Sequence, residues 1–329
     1  MSDISRIALL TSGGDAPGMN AAVRAVVRSA DAKGIETIAV SNGYQGMIEN
    51  NMRLMDAREV SGILHLGGTI LGTARSDAFR TPEGRAKAAD NLNAQGVDGI
   101  VIIGGDGSLT GGQKLAEEHN FHVIGIPGTI DNDLSGTDFT IGFDTAVNTA
   151  MEAIDKIRDT ASSHHRTFFV EVMGRHAGWL ALYAGISTGA TAALIPERED
   201  DIAHIRERIF ESFKLNKRFS IIVVAEGENL GGAEAIAEMV KNGEGTENLD
   251  IRVANLGHMQ RGGSPSMRDR VLGARLGDAA VQALVDGKTG VMVGERYHQI
   301  VHTPFTRLKT TERNADMFDL VEMMDRLAR

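Results

Sequence analysis

Short apolar runs, each closed by a glycine-rich or polar cluster, set the rhythm of this chain. Ile7-Ala8-Leu9-Leu10 runs into Thr11-Ser12-Gly13-Gly14-Asp15-Ala16-Pro17-Gly18, and Gly99–Ile103 runs into Gly104-Gly105-Asp106-Gly107-Ser108. Val123–Pro127 leads to Gly128-Thr129-Ile130-Asp131-Asn132-Asp133, Phe168–Val172 to Met173-Gly174-Arg175, and Ser220–Ala225 to Glu226-Gly227. Runs this short and this continuously apolar, several rich in Val and Ile, read as strands buried on both faces, as in a parallel sheet. Between them the apolar spacing turns helical. Met19–Lys33 carries Ala22, Val23, Val26, Val27 and Ala30 on one face, with Gly34 as a stop. Thr81–Gln95 has Pro82 placed for a first turn and Gly96 beyond its end. Thr145–Thr160 and Asp269–Asp286 show the same periodicity. Strands alternating with helices predict an α/β fold with mainly parallel sheets, and ligands then bind beyond the carboxyl ends of the strands, where all five clusters lie.

Composition narrows the function. The chain has 329 residues, enough for about two domains. With 44 acidic and 34 basic residues its net charge is −10, so it has no general field for nucleic acid or an anionic membrane. No apolar run is long enough to span a bilayer. Met1–Arg6 lacks the basic-then-apolar pattern of a signal peptide, and cysteine is absent, which removes disulfides and thiolate chemistry and makes a reducing cytoplasm the expected compartment. Glycine stands out at 39 residues and calls for close backbone approaches or positive φ angles. Thr140-Ile141-Gly142 marks the first expected domain boundary, and Gly243–Glu247 an exposed turn.

Each cluster has a chemical reading beside a plain one. Thr11–Gly18, a strand, a glycine turn and a helix N-terminus, either cradles an anion or is a tight βα turn. Around Asp106, three glycines leave room for a nucleotide and a carboxylate able to hold Mg²⁺; an Asp-Gly turn is the alternative. Asp131 and Asp133 are two apart and, in an extended segment, point the same way, one for a metal and one for a hydroxyl proton; Asp/Asn turns look alike. Arg75, Arg166, Arg175, Arg252, His258 and Arg261 all sit beside Gly-rich or polar segments, as phosphate-binding or surface cations. His164-His165 has no third ligand at metal spacing. There is no Walker A loop, no Gly-x-Gly-x-x-Gly after a strand and no nucleophile elbow. Trp179 and the Met317, Met323, Met324 group read as core and C-terminal helix packing.

The ordered set Leu10–Asn20, Gly104–Ser108, Pro127–Asp133, Met173–Arg175 and Gly257–Pro265 resembles the bacterial-type ATP-dependent 6-phosphofructokinases (phosphofructokinase A family) from about residue 6 to about residue 300, fading over the last thirty. The resemblance implies two similar three-layer α/β lobes with the active site in the cleft between them. Residues 1–141 plus about 259–303 would form the ATP lobe, and 142–258 plus about 304–329 the fructose 6-phosphate lobe. It implies transfer of phosphate from MgATP to the 1-hydroxyl of fructose 6-phosphate, in a cytoplasmic homotetramer with shared active sites. Asp131 matches the general base, with Thr129, Arg75 and Arg175 beside it in catalysis. Gly14, Arg75, Ser76, Gly105, Asp106, Gly107 and Ser108 match the ATP site, Asp106 holding Mg²⁺. Thr129, Asp131, Met173, Gly174, Arg175, Glu226, His258 and Arg261 match the sugar-phosphate site, joined by Arg166 and Arg252 from a neighbouring subunit. Gly107 and Gly128 leave space for ATP where pyrophosphate-dependent relatives carry Asp and Lys. Arg24, Arg28, Arg158, Lys217 and Arg218 match part of an effector site for ADP or phosphoenolpyruvate, from which Thr191, Leu215 and Ala57 depart, with Arg58 next to Ala57. A pyrophosphate-dependent enzyme, a NAD or lipid kinase and a non-catalytic sugar-phosphate sensor are the competing readings.

Overall fold

The computed structural model describes residues 4–215, 217–308 and 314–328; the first three residues of the segment read above for a leader lie outside them. The chain divides into two compact units, residues 1–130, 134–145 and 261–310 in the first and residues 131–133, 146–260 and 311–329 in the second.

Numbered along the chain, the first unit contains strands β1 (Arg6–Ser12), β2 (Glu36–Val40), β3 (Met52–Met55), β4 (Gly99–Gly104), β5 (His122–Thr129), β6 (Ile141–Gly142), β11 (Val291–Arg296) and β12 (Gln299–Pro304). Its helices are α1 (Met19–Asp31), α2 (Gly43–Ile48), α3 (Pro82–Ala94), α4 (Asp106–His119) and α9 (Met267–Val285). The sheet runs β12-β11-β5-β4-β1-β2-β3, with β6 beside β5; it is parallel except where β3 and β12 pair antiparallel at its two edges. Ala8 and Leu10 of β1 pack with Ile100 and Ile102 of β4 against α2, α3 and α4. The other sheet face is covered by α1 and α9, which pack on each other. Both faces are thus buried, which is why these strands carry apolar residues at successive positions.

The second unit has strands β7 (Thr167–Val172), β8 (Ala192–Leu194), β9 (Ser220–Ala225) and β10 (Ile251–Asn255), in the order β10-β7-β9-β8, all parallel. Its helices are α5 (Phe143–His164), which starts in the first unit, α6 (Trp179–Thr188), α7 (Ile202–Lys214), α8 (Gly232–Lys241) and α10 (Asn314–Leu327). Ile205 and Ile209 of α7 and Ile236 and Val240 of α8 close over Phe169, Leu194, Ile222 and Val224. Trp179 is buried, as are Met317 and Met324 on α10.

All five expected strands are present, and the four helices differ from expectation at their ends. Pro82 is the first residue of α3, Thr81 caps it by accepting from Gly84 N, and Gly96 takes φ +66° just past its end. Helix α5 extends to His164, four residues past the expected Thr160. Helix α9 starts two residues early, because the Ser266 hydroxyl accepts from Asp269 N and caps it.

Candidate functional site

The carboxyl ends of three adjacent parallel strands gather the first set of residues. Ser12 of β1 is in register with Gly104 of β4, and Gly104 with Pro127 of β5. The chain therefore delivers the 13–18, 105–108 and 128–130 segments to one edge of the sheet.

The two helix N-termini at that edge differ. At α1, Gly18 takes φ +104°, and a Cβ there would fall 2.8 Å from Ile141 Cγ2 and 3.1 Å from Asp269 Cβ. Met19 and Asn20 are fully buried, so the first turn of α1 is packed over by protein, while Gly13 and Gly14 in the turn before it are exposed. Asn20 instead organises a loop: its amide donates to Leu66 O and Gly67 O and accepts from Ile70 N. At α4 the first turn is open. Asp106 and Gly107 are exposed, and a Cβ on Gly107 would meet no atom within 4 Å. An exposed helix start, with its unpaired N–H groups and positive dipole end, is the feature that attracts a phosphate. One acidic side chain in that turn, next to open space, also fits a hard divalent cation completed by a ligand's phosphates. No cluster of three His, Asp or Glu side chains offers a protein-only metal site among the described residues.

The flanking groups are tied down. Ser108 is buried and its carbonyl accepts from Tyr44, which stacks on Phe79 at 3.9 Å. Ser76 donates to Gln45 Oε1 at 2.7 Å and accepts from Phe79 N at 3.2 Å, in the short turn at Ala78–Arg80. That fixes the loop on which the exposed Arg75 stands. Thr73 donates to Gly13 O at 2.7 Å, closing this loop onto the β1 turn. Arg261 lies over Gly14, where a Cβ would come 2.5 Å from its Nη1, and donates to Asp15 O at 3.1 Å. The structure thus joins Gly14 and Arg261, which the sequence placed with different ligands.

Two expectations at β5 need correction. Gly128 does not face open space: a Cβ there would lie 3.0 Å from Ile103 Cγ2 and 3.0 Å from Met19 Cε. Its lack of a side chain serves packing, whereas Gly107 faces open space. Nor is the segment after β5 extended, since Asn132 takes φ +52°. The alternation that would aim Asp131 and Asp133 the same way therefore does not apply. Asp131 and Thr129 are both buried, and Thr140 donates to the Thr129 carbonyl at 2.6 Å.

In the second unit, Val172 of β7 is in register with Ala225 of β9, which brings Met173–Arg175 beside Glu226. Arg175 takes φ +55°, and its N–H donates to Glu226 Oε1 at 2.8 Å. Gly227 permits this turn, because a Cβ there would strike Arg175 O at 1.8 Å. The fully buried Gln260 accepts from Met173 N at 3.3 Å and donates to Gly257 O at 3.0 Å, holding the Gly257–Arg261 turn that carries the exposed His258. Arg166 and Arg252 meet at Asp250, a residue sequence reasoning missed. Arg166 Nε donates to Oδ2 at 2.7 Å and Arg252 Nε lies 2.9 Å from Oδ1. The Arg166 hydrogen bond first, and then Arg252, hold the Asp250 carboxyl below the usual range.

The expected effector residues are spread over both units. In the first, Arg24 and Arg28 share a face of α1, and Arg28, Asp31, Ala57, Arg58 and Ser61 line a cavity of about 510 Å³. Arg58, next to Ala57, thus gives this cavity a second arginine. In the second, Arg158 lies 3.7 Å from Asp155 and 5.9 Å from the Phe219 ring, and Lys217 donates to Ala328 O at 2.6 Å, while Arg218 is exposed. Thr191 is buried, accepting from Ser220 at 2.8 Å.

These motifs have counterparts in known proteins. The profile of the Phosphofructokinase family matches residues 6–284. ATP-dependent 6-phosphofructokinase 1 of Thermus thermophilus is 54% identical over 316 residues, covering 95% of this chain and 96% of the relative. ATP-dependent 6-phosphofructokinase 2 of Bacteroides thetaiotaomicron is 50% identical over 328 residues, covering both chains in full. Among solved structures, phosphofructokinase from Saccharomyces cerevisiae superposes with a TM-score of 0.87 at 38% identity, covering 98% of this chain and 48% of the yeast chain. A pyrophosphate-dependent phosphofructokinase from Marinobacter aquaeolei shares the fold, with a TM-score of 0.81 at 24% identity over 98% of this chain and 91% of its own. With a family match across most of its length and half its residues shared with full-length relatives, the chain belongs to the phosphofructokinase family.

Proposed function

We propose that this protein is an ATP-dependent 6-phosphofructokinase, transferring the terminal phosphate of ATP to the 1-hydroxyl of fructose 6-phosphate as a step of glycolysis, within a cytoplasmic homotetramer whose subunits share active sites. The observation that carries the reading is the open start of α4, with Asp106 in its first turn and unobstructed space at Gly107.

The roles follow from what each group offers. Gly14, Arg75, Ser76 and Gly105–Ser108 hold the nucleotide, and Asp106 holds Mg²⁺, which when bound neutralises charge on the donor's phosphates. Asp131 accepts the proton of the attacking hydroxyl, and Thr129 orients that end of the sugar. Phosphoryl transfer passes through a loose transition state, so the proton leaves late and a carboxylate base suffices. Arg75 and Arg175 stabilise the charge on the transferred group. Met173, Gly174, Arg175, Glu226, His258 and Arg261 bind the sugar phosphate, with Arg166 and Arg252 supplied by a neighbouring subunit. For Arg261 this means exchanging one hydrogen bond to a neutral acceptor, Asp15 O, for bonds to an anionic phosphate.

A coupled assay on the purified chain, with ATP or pyrophosphate as donor and fructose 6-phosphate as acceptor, tests the reading. Turnover with ATP is expected, and faster turnover with pyrophosphate at equal concentration refutes the donor assignment. Inactivity with both donors refutes the enzyme reading altogether.

A further inference from the structure

Arg166 precedes β7 and Arg252 is the second residue of β10, so the two are 86 positions apart and no local geometry pairs them. The sheet does: Thr167 is in register with Ile251 and Phe168 with Arg252. The backbone of Asp250 is part of the same ladder, its carbonyl accepting from Thr167 N at 3.0 Å. Its carboxylate spends one oxygen on each arginine, and in both contacts the guanidinium uses Nε. That leaves the Nη edge of each planar fork for a second acceptor. A carboxylate accepts at both oxygens, so one residue serves two cations without competition between them. The trio carries a net charge of one positive, and two guanidiniums gathered at one carboxylate suit a phosphate monoester dianion.

We propose that Asp250 is a positioning residue for phosphate capture, holding Arg166 and Arg252 as a formed two-guanidinium clamp before the sugar phosphate arrives. The inference rests on the assignment of these two arginines to the sugar phosphate made above. Long arginine side chains lose rotamer freedom when they bind, and a clamp ordered in advance has already lost it. The two arginines hold the carboxyl of Asp250 below its usual range, as expected of a carboxylate paired with both.

The test measures KM for fructose 6-phosphate and for ATP, with kcat, in the full chain and in Asp250→Ala, Asp250→Asn, Asp250→Glu, Arg166→Ala and Arg252→Ala. Loss of two charge-assisted contacts in Asp250→Ala is expected to raise the fructose 6-phosphate KM by about tenfold, with ATP KM and kcat within about twofold. Asn offers one acceptor and one donor, so it serves a single arginine and its KM falls between. Glu keeps both acceptors and recovers most of the affinity. Should Asp250→Ala fail to fold, the Asn and Glu variants carry the comparison. An unchanged or lower sugar-phosphate KM in the Asp250 variants, where Arg166→Ala and Arg252→Ala raise it, overturns the positioning role and leaves the site reading standing. A parallel rise in ATP KM overturns it too, since that marks a general structural effect. Silent Arg166→Ala and Arg252→Ala variants refute the site assignment and take this inference with it.

Discussion

The buried acid Asp269 gives a prediction whose sign runs against the usual pattern, in which acid destabilises the fold. Its side chain is 1% exposed, accepts from Gly142 N at 2.8 Å through Oδ1, and through Oδ2 accepts from Thr145 N at 2.9 Å and from the Thr145 hydroxyl. Burial pushes its carboxyl up from 3.8 to about 6, with the hydrogen bonds from Thr145 and Gly142 opposing and the charge of Asp144 adding. A carboxyl whose folded pKa exceeds its unfolded value binds a proton more tightly when folded. The stability it contributes is complete below about pH 4, falls as pH rises, and is lost above about pH 6. A shift of about two units corresponds to about 3 kcal/mol. Asp269→Asn removes the charge but keeps one acceptor for three donors, which leaves a buried N–H unsatisfied at a cost of about 1–3 kcal/mol. At neutral pH the two effects nearly cancel. Below pH 4 the variant carries only the penalty. Urea unfolding of both proteins at half-unit steps from pH 4 to 8 isolates the group, because all other titrations are common to the two. The wild-type advantage is expected to shrink by about 3 kcal/mol between pH 4 and pH 7. A difference that stays flat, or that grows with pH, refutes the argument from burial.

Asp131→Asn is expected to lower kcat by about 10²–10⁴ with little change in the KM for fructose 6-phosphate, measured by coupled assay; near-normal turnover removes Asp131 as the base. Gly107→Ala adds a methyl group into open space, so its unfolding midpoint should match wild type within about 0.5 kcal/mol while its ATP KM rises. Gly128→Ala presses on Ile103 and Met19 and should lose about 1–3 kcal/mol of stability on urea unfolding. Arg28 and Arg58 line one cavity, while Thr191 lies buried with its hydroxyl paired to Ser220; activation by ADP should therefore be blunted at subsaturating fructose 6-phosphate, and Arg58→Ala should abolish what remains.

The five apolar runs were readable because each is a strand buried on both faces, where composition alone signals the environment. The β11–β12 hairpin was not. Its turn puts Tyr297 at φ +50° and His298 at φ +63°, a conformation normally announced by Asn or Gly. Asp131 and Asp133 misled for a related reason: Asn132 tolerates the left-handed region, and one such residue breaks the alternation on which a shared face depends. A signal for Asp269 was present, since Ser266 stands three residues before it as in a capping box, yet nothing in that spacing says that the acid is buried. Asp250 left no such trace, because its link to Arg166 exists only through the register of β7 and β10. The abundant glycines show the same limit from the other side. At Gly14, Gly18 and Gly128 a side chain would strike Arg261, Ile141 or Ile103, and at Gly107 it would enter open space. A glycine run after a strand thus marks the end of the sheet where chemistry collects. Only the surroundings of the missing Cβ tell a ligand's room from a neighbour's packing, and those are set by segments distant in the chain, as Arg261 is from Gly14 and Ile141 from Gly18.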